Sequence, residues 1–463
     1  MMDSYAREYR LPGAELEQLW EDMWKRGVIR ARLPQDFNRK LEKSRKQKQP
    51  EVMICFDRAV RHGQDAEALE PEDIRQGGVS LSTLQDFQTA FQNINLDEIR
   101  LCGYCGAENA ALLGAFSALR KANGEGTLQM QGVLGADPLG ALAEEGVLPI
   151  GLEALYDEMA QAVLWADQHM PQIDTVLVRS APYQDGGASL AQEMACTMAV
   201  VREYLEELLK RGVTLDTAAR HLKIALAASG NKTMDEWKAE SIALLWQEMM
   251  RSYFQRETMP EARIYFIRAG YNHAAYDPYL SLDGLYEGCT CWYRKALMQE
   301  FIGKVREIMR SVEQVGGMSE ALAKGALQDA IQSSLAYRLT KIPCRMQAER
   351  GICVYVHTKE REIAVQPVDT ELFREQRLGA ITDFREDADE YQRTLALARV
   401  TLTLTKPGLG LIQMLQEAFL SGATLGDTVI ALHAGQDDFY IEKVIEKHDL
   451  VEYLKMRSLR MRR

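Results

Sequence analysis

Thr175-Val-Leu-Val-Arg-Ser180, the turn Pro182-Tyr-Gln-Asp-Gly-Gly187, an amphipathic stretch over 188–211 and then Leu222-Lys-Ile-Ala-Leu-Ala227 together decide the fold. A short run of Val, Leu and Ile bounded by turn residues predicts a buried strand, and apolar spacing near 3.6 predicts a helix. The crossover is long enough to return the second strand parallel to the first. The same unit recurs on both sides. Earlier runs are Glu51-Val-Met-Ile-Cys-Phe56, Glu98-Ile-Arg-Leu-Cys-Gly-Tyr104 and Leu128-Gln-Met-Gln-Gly-Val-Leu134, and a later one is Arg263-Ile-Tyr-Phe-Ile-Arg268. Helix patterns at 108–121, 151–169 and 234–255 separate them. The expectation is an α/β chain of about six parallel strands, built as an incomplete (βα) TIM-barrel-like domain with a helical C-terminal extension. Two further strand-helix pairs do not fit between Asp277 and the helix pattern at 294–315.

Outward from this core, residues 1–50 are expected to form an N-terminal helical arm and 51–345 the barrel-like domain, with 346–463 a C-terminal linker and helical segment. That last part holds the strand-like run Ile352-Cys-Val-Tyr-Val356 and amphipathic helices near 385–400 and 408–420, parted by Thr405-Lys-Pro-Gly408. The chain has 463 residues, 46% hydrophobic and 26% charged, which describes a globular protein rather than a disordered one. No apolar run approaches the roughly 18 residues of a membrane span, and Met1-Met2-Asp3-Ser4 lacks the features of a signal peptide. A cytoplasmic location without membrane association is expected. A net charge of −12 argues against a nucleic-acid partner.

Eight Cys are too sparse for a disulfide scaffold and read as reduced, mostly buried thiols. Cys102-x-x-Cys105 and Cys289-x-Cys291 lack a second pair at ligand spacing, and none of the seven His stands at i+4 from another on a helix. No classical zinc hydrolase site is expected. In a parallel α/β fold the chemistry lies at the C-terminal ends of the strands. The loops there contain Asp65, Asp137, Tyr183, Gln184, Asp185, Asn231 and, just beyond, Lys238; these are the candidate pocket residues. Helix capping is a competing role for Asp137 before Pro138 and for Asp185 before Gly186-Gly187.

Taken together, several stretches resemble the adenosylcobalamin-dependent acyl-CoA mutases of the methylmalonyl-CoA mutase family. They are Cys55-Phe-Asp57 with His62-Gly-Gln-Asp65, Gly78-Val-Ser-Leu-Ser-Thr-Leu-Gln-Asp-Phe87, Gly132-Val-Leu-Gly-Ala-Asp-Pro-Leu-Gly-Ala-Leu-Ala143, Tyr183-Gln-Asp-Gly-Gly-Ala-Ser-Leu-Ala-Gln-Glu193, Asp277-Pro-Tyr279 and Val312-Glu-Gln-Val-Gly-Gly-Met-Ser-Glu-Ala-Leu-Ala-Lys-Gly325. They fall in the family's order. The resemblance implies a barrel whose axis threads a CoA ester, with a flavodoxin-like cobalamin domain above it. It also implies that a catalytic large subunit pairs, in some bacteria, with a silent small one.

The departures resemble the silent type. Gly135-Ala-Asp-Pro-Leu-Gly140 stands where catalytic barrels carry Gln-Asn-Asp, and Pro182 stands where they carry the His that bonds the thioester carbonyl. Gln184 replaces a His, Glu240 stands for an expected Arg although Lys238 is retained, and no Tyr-x-Gly counterpart precedes Glu51. The cobalamin motif Asp-x-His-x-x-Gly has only the imperfect echo Asp167-Gln-His169-Met-Pro-Gln172, and no flavodoxin-like domain is expected. The chain alone is therefore expected to have no catalytic residues and to bind no cofactor. Its expected role is that of a non-catalytic small-subunit-like barrel in a heterodimer with a catalytic mutase large subunit. Two alternatives are a catalytic barrel served by a separate cobalamin chain, and a CoA-ester-binding module without chemistry.

Overall fold

The computed structural model describes residues 27–49, 51–124, 129–228, 232–256, 258, 260–268, 294–341, 368–403 and 410–446. Seven parallel strands form one curled, half-barrel sheet in the order β1-β2-β3-β4-β6-β7-β8. They are β1 (Gly27–Ile29), β2 (Val52–Ile54), β3 (Arg100–Gly106), β4 (Gln131–Ala136), β6 (Ile173–Arg179), β7 (Leu222–Ala228) and β8 (Ile264–Arg268). A two-stranded antiparallel ribbon, β5 (Val147–Leu148) with β9 (Phe439–Tyr440), stands apart. All six runs read from the sequence are strands, and β1 adds a seventh. Within the segment expected as a helical arm, Pro34–Lys46 (α1) is a helix, but Gly27–Ile29 pairs in register with Val52–Ile54. Asp277, the run at 352–356 and Cys289-x-Cys291 lie outside the described residues.

The strand runs are mostly apolar because both faces of the sheet are largely covered, with charges such as Arg100, Asp174 and Lys223 near the strand starts. Val176 and Val178 point into the outer core, whereas Leu177 between them joins Cys102, Val133, Ala225 and Tyr265 on the inner, concave side. That alternation is the period-2 geometry of a strand. Outside the sheet lie α2 (Leu84–Ala90), α3 (Ala110–Ala122), α4 (Pro138–Glu145), α5 (Leu152–His169), α6 (Leu190–Lys210), α7 (Lys232–Glu248) and α8 (Arg294–Val315). Among the described residues no helix is long and apolar enough to cross a membrane.

Among the described residues, four helices follow residue 368: α9 (Thr370–Asp387), α10 (Glu390–Thr403), α11 (Leu411–Leu420) and α12 (Leu425–Leu432). The two helices expected near 385–400 and 408–420 correspond to α10 and α11, and the structure adds α9 before them and α12 after them. These helices share a core with the first half of the sheet. Phe419 packs edge-on to Phe87 with ring centroids 6.5 Å apart, and Leu411, Ile412 and Leu415 lie in the same apolar cluster as Leu112 and Phe116. Gly114 permits this approach, since a Cβ there would meet the Leu415 Cβ at 2.6 Å. Polar anchors add direction. Arg377 of α9 grips Asp86 through two bonds of 2.7 and 2.6 Å, a planar fork on a carboxylate, and both side chains are buried.

Candidate functional site

At the C-terminal end of β6 an arginine closes the concave side of the sheet. Arg179 is the last residue of β6 and follows the apolar run Val176-Leu-Val178, and its guanidinium lies 3.5 Å from the centroid of the Tyr104 ring on β3. Its Nε donates to Asp137 Oδ2 at 3.0 Å and its Nη1 to Glu144 Oε2 at 2.8 Å. Asp137 in turn accepts from Tyr204 Oη at 2.7 Å and from the Gly140 backbone N–H at 3.1 Å, so it also caps α4. Burial pushes the Asp137 carboxyl above its usual range, against the pull of Arg179. Burial works against the charge on Arg179 too, but Glu144, Tyr104 and Asp137 outweigh it and hold the guanidinium firmly protonated. Arg179 Nη2 is buried and has no hydrogen-bond partner among the described residues. The arrangement can present the N–H donors of that one nitrogen to an acceptor oxygen, and among the described residues it contains no imidazole.

Beside it runs a second buried network. Ser180 Oγ donates to Glu193 Oε1 at 2.7 Å and accepts from the Ala227 N–H at 2.8 Å. Lys238 Nζ donates to the same Glu193 oxygen at 2.8 Å, to the Ala227 carbonyl at 2.7 Å and to Gln184 Oε1. All three donors of the ammonium are thus engaged within the protein. Burial pushes the Glu193 carboxyl up, with Lys238 opposing. A lysine so held is a strut between β7, α6 and α7.

The structure brings Asp137, Gln184 and Lys238 to this end of the sheet and buries Tyr183 and Asp185 in the short helix Ala181–Asp185. Pro182 occupies the first turn of that helix, where a missing N–H costs nothing. Asp185 does not cap the next helix; Ser189 does, paired with Gln192 in a capping box. Gly187, at φ +85°, fits because a side chain would strike Leu335. Asp65 sits elsewhere. It binds Thr424 Oγ1 at 2.6 Å, the Gly426 N–H at 3.1 Å and Arg385 at 3.0 Å, which ties the loop after β2 to α9 and α12. Asn231 lies outside the described residues.

Arg179, Tyr104, Glu144, Tyr204, Ser180 and Glu193 were not singled out in the sequence. Only Arg179 carries a signal, as a charge ending the apolar run Val176-Leu-Val178. The cysteine expectation is met where it can be seen: Cys55, Cys102, Cys105 and Cys196 are free thiols. Cys102 belongs to the concave cluster and Cys105 to the outer core, so this pair cannot share a metal ion. The Asp167/His169 string does not fit cobalt ligation. Asp167 binds Arg220 at 2.6 Å and His221 at 3.4 Å, while His169 stacks on Trp165 and bonds its carbonyl at 2.9 Å.

The sequence model of the family described as methylmalonyl-CoA mutase matches residues 12–282 and 288–438. Among curated proteins, the methylmalonyl-CoA mutase of Cereibacter sphaeroides is 22% identical over 453 residues, covering 86% of this chain and 62% of that protein. The methylmalonyl-CoA mutase large subunit of Porphyromonas gingivalis is 22% identical, covering 81% and 60% respectively. The mitochondrial methylmalonyl-CoA mutase of Homo sapiens is 19% identical, covering 82% and 58%. The chain therefore spans about three-fifths of the length of these relatives.

Proposed function

Given that the chain belongs to the methylmalonyl-CoA mutase family, we propose that it is a non-catalytic barrel that supports a catalytic mutase chain and does not itself rearrange an acyl-CoA. The observation that carries this reading is the occupied concave side of the sheet. The buried ion pairs of Arg179 with Asp137 and Glu144, stacked on Tyr104, fill the C-terminal end of β6, the end of the sheet where the family resemblance implies that a CoA ester would bind. Displacing them would strip partners from buried charges, which costs several kcal/mol.

Two further features support it. Adenosylcobalamin chemistry supplies an organic radical, and the protein's part is to exclude water and fix a donor on the thioester oxygen. At the position where the family's catalytic members carry that donor, this chain has Pro182, which offers no side-chain hydrogen bond. Each histidine among the described residues has a partner within the chain: His62 with Glu145, His169 with Trp165, His221 with the Ile173 carbonyl and His433 with Glu158.

The test is an isomerisation assay with methylmalonyl-CoA and adenosylcobalamin on the purified chain, alone and mixed with a catalytic mutase chain, together with co-purification of the two. The expected result is no turnover and no cobalamin retained by the chain alone, and a stable complex with its partner. Appreciable turnover by the isolated chain refutes the proposal.

A further inference from the structure

Away from the sheet's mouth, three side chains from distant parts of the sequence converge. Glu108 lies in the turn between β3 and α3, Glu158 on the middle of α5, and His433 at the C-terminal cap of α12. His433 Nε2 is 3.0 Å from Glu158 Oε1 and 3.5 Å from Glu108 Oε2, and one donor atom from each residue lies within 4.8 Å of the others. Each of the three side chains is no more than 8% exposed.

We propose that Glu108, Glu158 and His433 form a binding site for one divalent transition-metal ion of the zinc type. Tetrahedral zinc holds nitrogen and oxygen donors at about 2.0–2.2 Å, which sets neighbouring donors about 3.3 Å apart. The two measured separations bracket that spacing. An imidazole with two carboxylates is a donor set that zinc accepts, and three protein donors leave a fourth position for water.

Two observations beyond the clustering point to a ligand. First, Oε2 of Glu108 and Oε2 of Glu158 are both buried and accept no hydrogen bond from described residues outside the cluster, Glu108 Oε2 meeting only His433 Nε2 at 3.5 Å, although buried polar atoms are nearly always fully paired. Second, the two carboxyl groups meet no cation other than His433, since among the described residues no Lys or Arg forms an ion pair with either. In the metal-free protein a proton shared between Glu108 and Glu158 balances the charge, and a divalent cation on a neutral imidazole would take the place of that proton. The neighbourhood is tight on the remaining side, since Gly63 packs so closely that a Cβ there would lie 2.6 Å from Glu108 Oε1. An ion here would staple the β3 turn, α5 and the last helix together. It would be a structural ion, buried away from Arg179 and independent of whether the chain is catalytic.

The experiment is titration of the full, chelator-treated chain with Zn2+ by calorimetry, with Mg2+ as control, and a visible spectrum of the Co2+-loaded protein. The expected result is one Zn2+ per chain, no heat with Mg2+, a rise in melting temperature on loading, and the intense visible bands of four-coordinate Co2+ with nitrogen and oxygen donors. Glu158→Gln, which keeps shape and removes a charge, should weaken Zn2+ by about tenfold or more. Absence of stoichiometric Zn2+ binding overturns the proposal, as does undiminished affinity in a folded Glu158→Gln protein. If that variant does not fold, the wild-type Co2+ spectrum decides, because thiolate charge-transfer bands or six-coordinate bands place the ion elsewhere and overturn it.

Discussion

Arg179 and Asp137 are joined on the concave side of the sheet by an Nε–Oδ2 bond of 3.0 Å, with the carboxylate 1% exposed and the guanidinium 8%. The pair links the end of β6 to the start of α4, so its fate reports on the whole mouth. Removing one partner of a buried pair leaves the other uncompensated. Arg179→Met should therefore cost about 3–5 kcal/mol in urea unfolding. The triple change Arg179→Met/Asp137→Asn/Glu144→Gln should recover much of that loss. A triple variant no more stable than the single one would show that stacking on Tyr104, not charge pairing, holds the arginine.

Asp57 makes a pH prediction. Its carboxyl caps the short helix Arg58–Arg61 through the Val60 N–H at 2.8 Å, and burial pushes its pKa up from 3.8 to about 6. A carboxyl whose folded pKa is raised stabilises the fold below its unfolded value and loses that contribution as pH rises through the folded one. Asn caps equally well and cannot ionise. Asp57→Asn should match wild type near pH 4 and exceed it by about 1–3 kcal/mol at pH 7. Urea midpoints at the two pH values measure the difference, and an equal gap at both would sink the idea.

Arg377 predicts a local effect. Its fork spans both oxygens of Asp86, and its Nε reaches Ser80 Oγ at 3.2 Å, so one side chain ties α9 to the start of α2. Arg377→Lys should behave nearly as badly as Arg377→Met, because an ammonium cannot make the two parallel bonds. Limited proteolysis should cut within α9 faster in both variants than in wild type. Full protection in the lysine variant would contradict the bidentate account.

Gly106 offers a steric test. It ends β3 at φ +108°, and a Cβ there would lie 1.8 Å from the Arg61 carbonyl oxygen. Backbone cannot yield as a side chain does, so Gly106→Ala should lower stability by more than about 2 kcal/mol. Thermal unfolding that leaves the midpoint unchanged would remove the claim.

The strands were legible because each holds a compact apolar run between turn residues, and burial on both faces keeps polar interruptions such as Lys223 few. β1 escaped because Gly27-Val-Ile29 is only three residues long and sits in a charged neighbourhood. Its pairing with β2 supplies the backbone bonds that its own sequence does not advertise. Asp137 was found by position, at a strand end before Pro138, yet its partners Arg179 and Tyr204 lie 42 and 67 residues away. Glu108, Glu158 and His433 were invisible for the same reason, since the outer two are separated by 325 positions and share no spacing rule. Asp65 illustrates the converse: a residue just past a strand end whose partners turn out to be a distant helix pair.

The interlock of Phe116 and Leu112 with Leu411, Ile412 and Leu415 joins segments about 300 positions apart. A polypeptide leaving the ribosome must therefore carry an uncovered apolar face through most of its synthesis. Closing so distant a seam comes late and slowly. Nascent chains of this protein should depend on chaperones until α11 and α12 emerge.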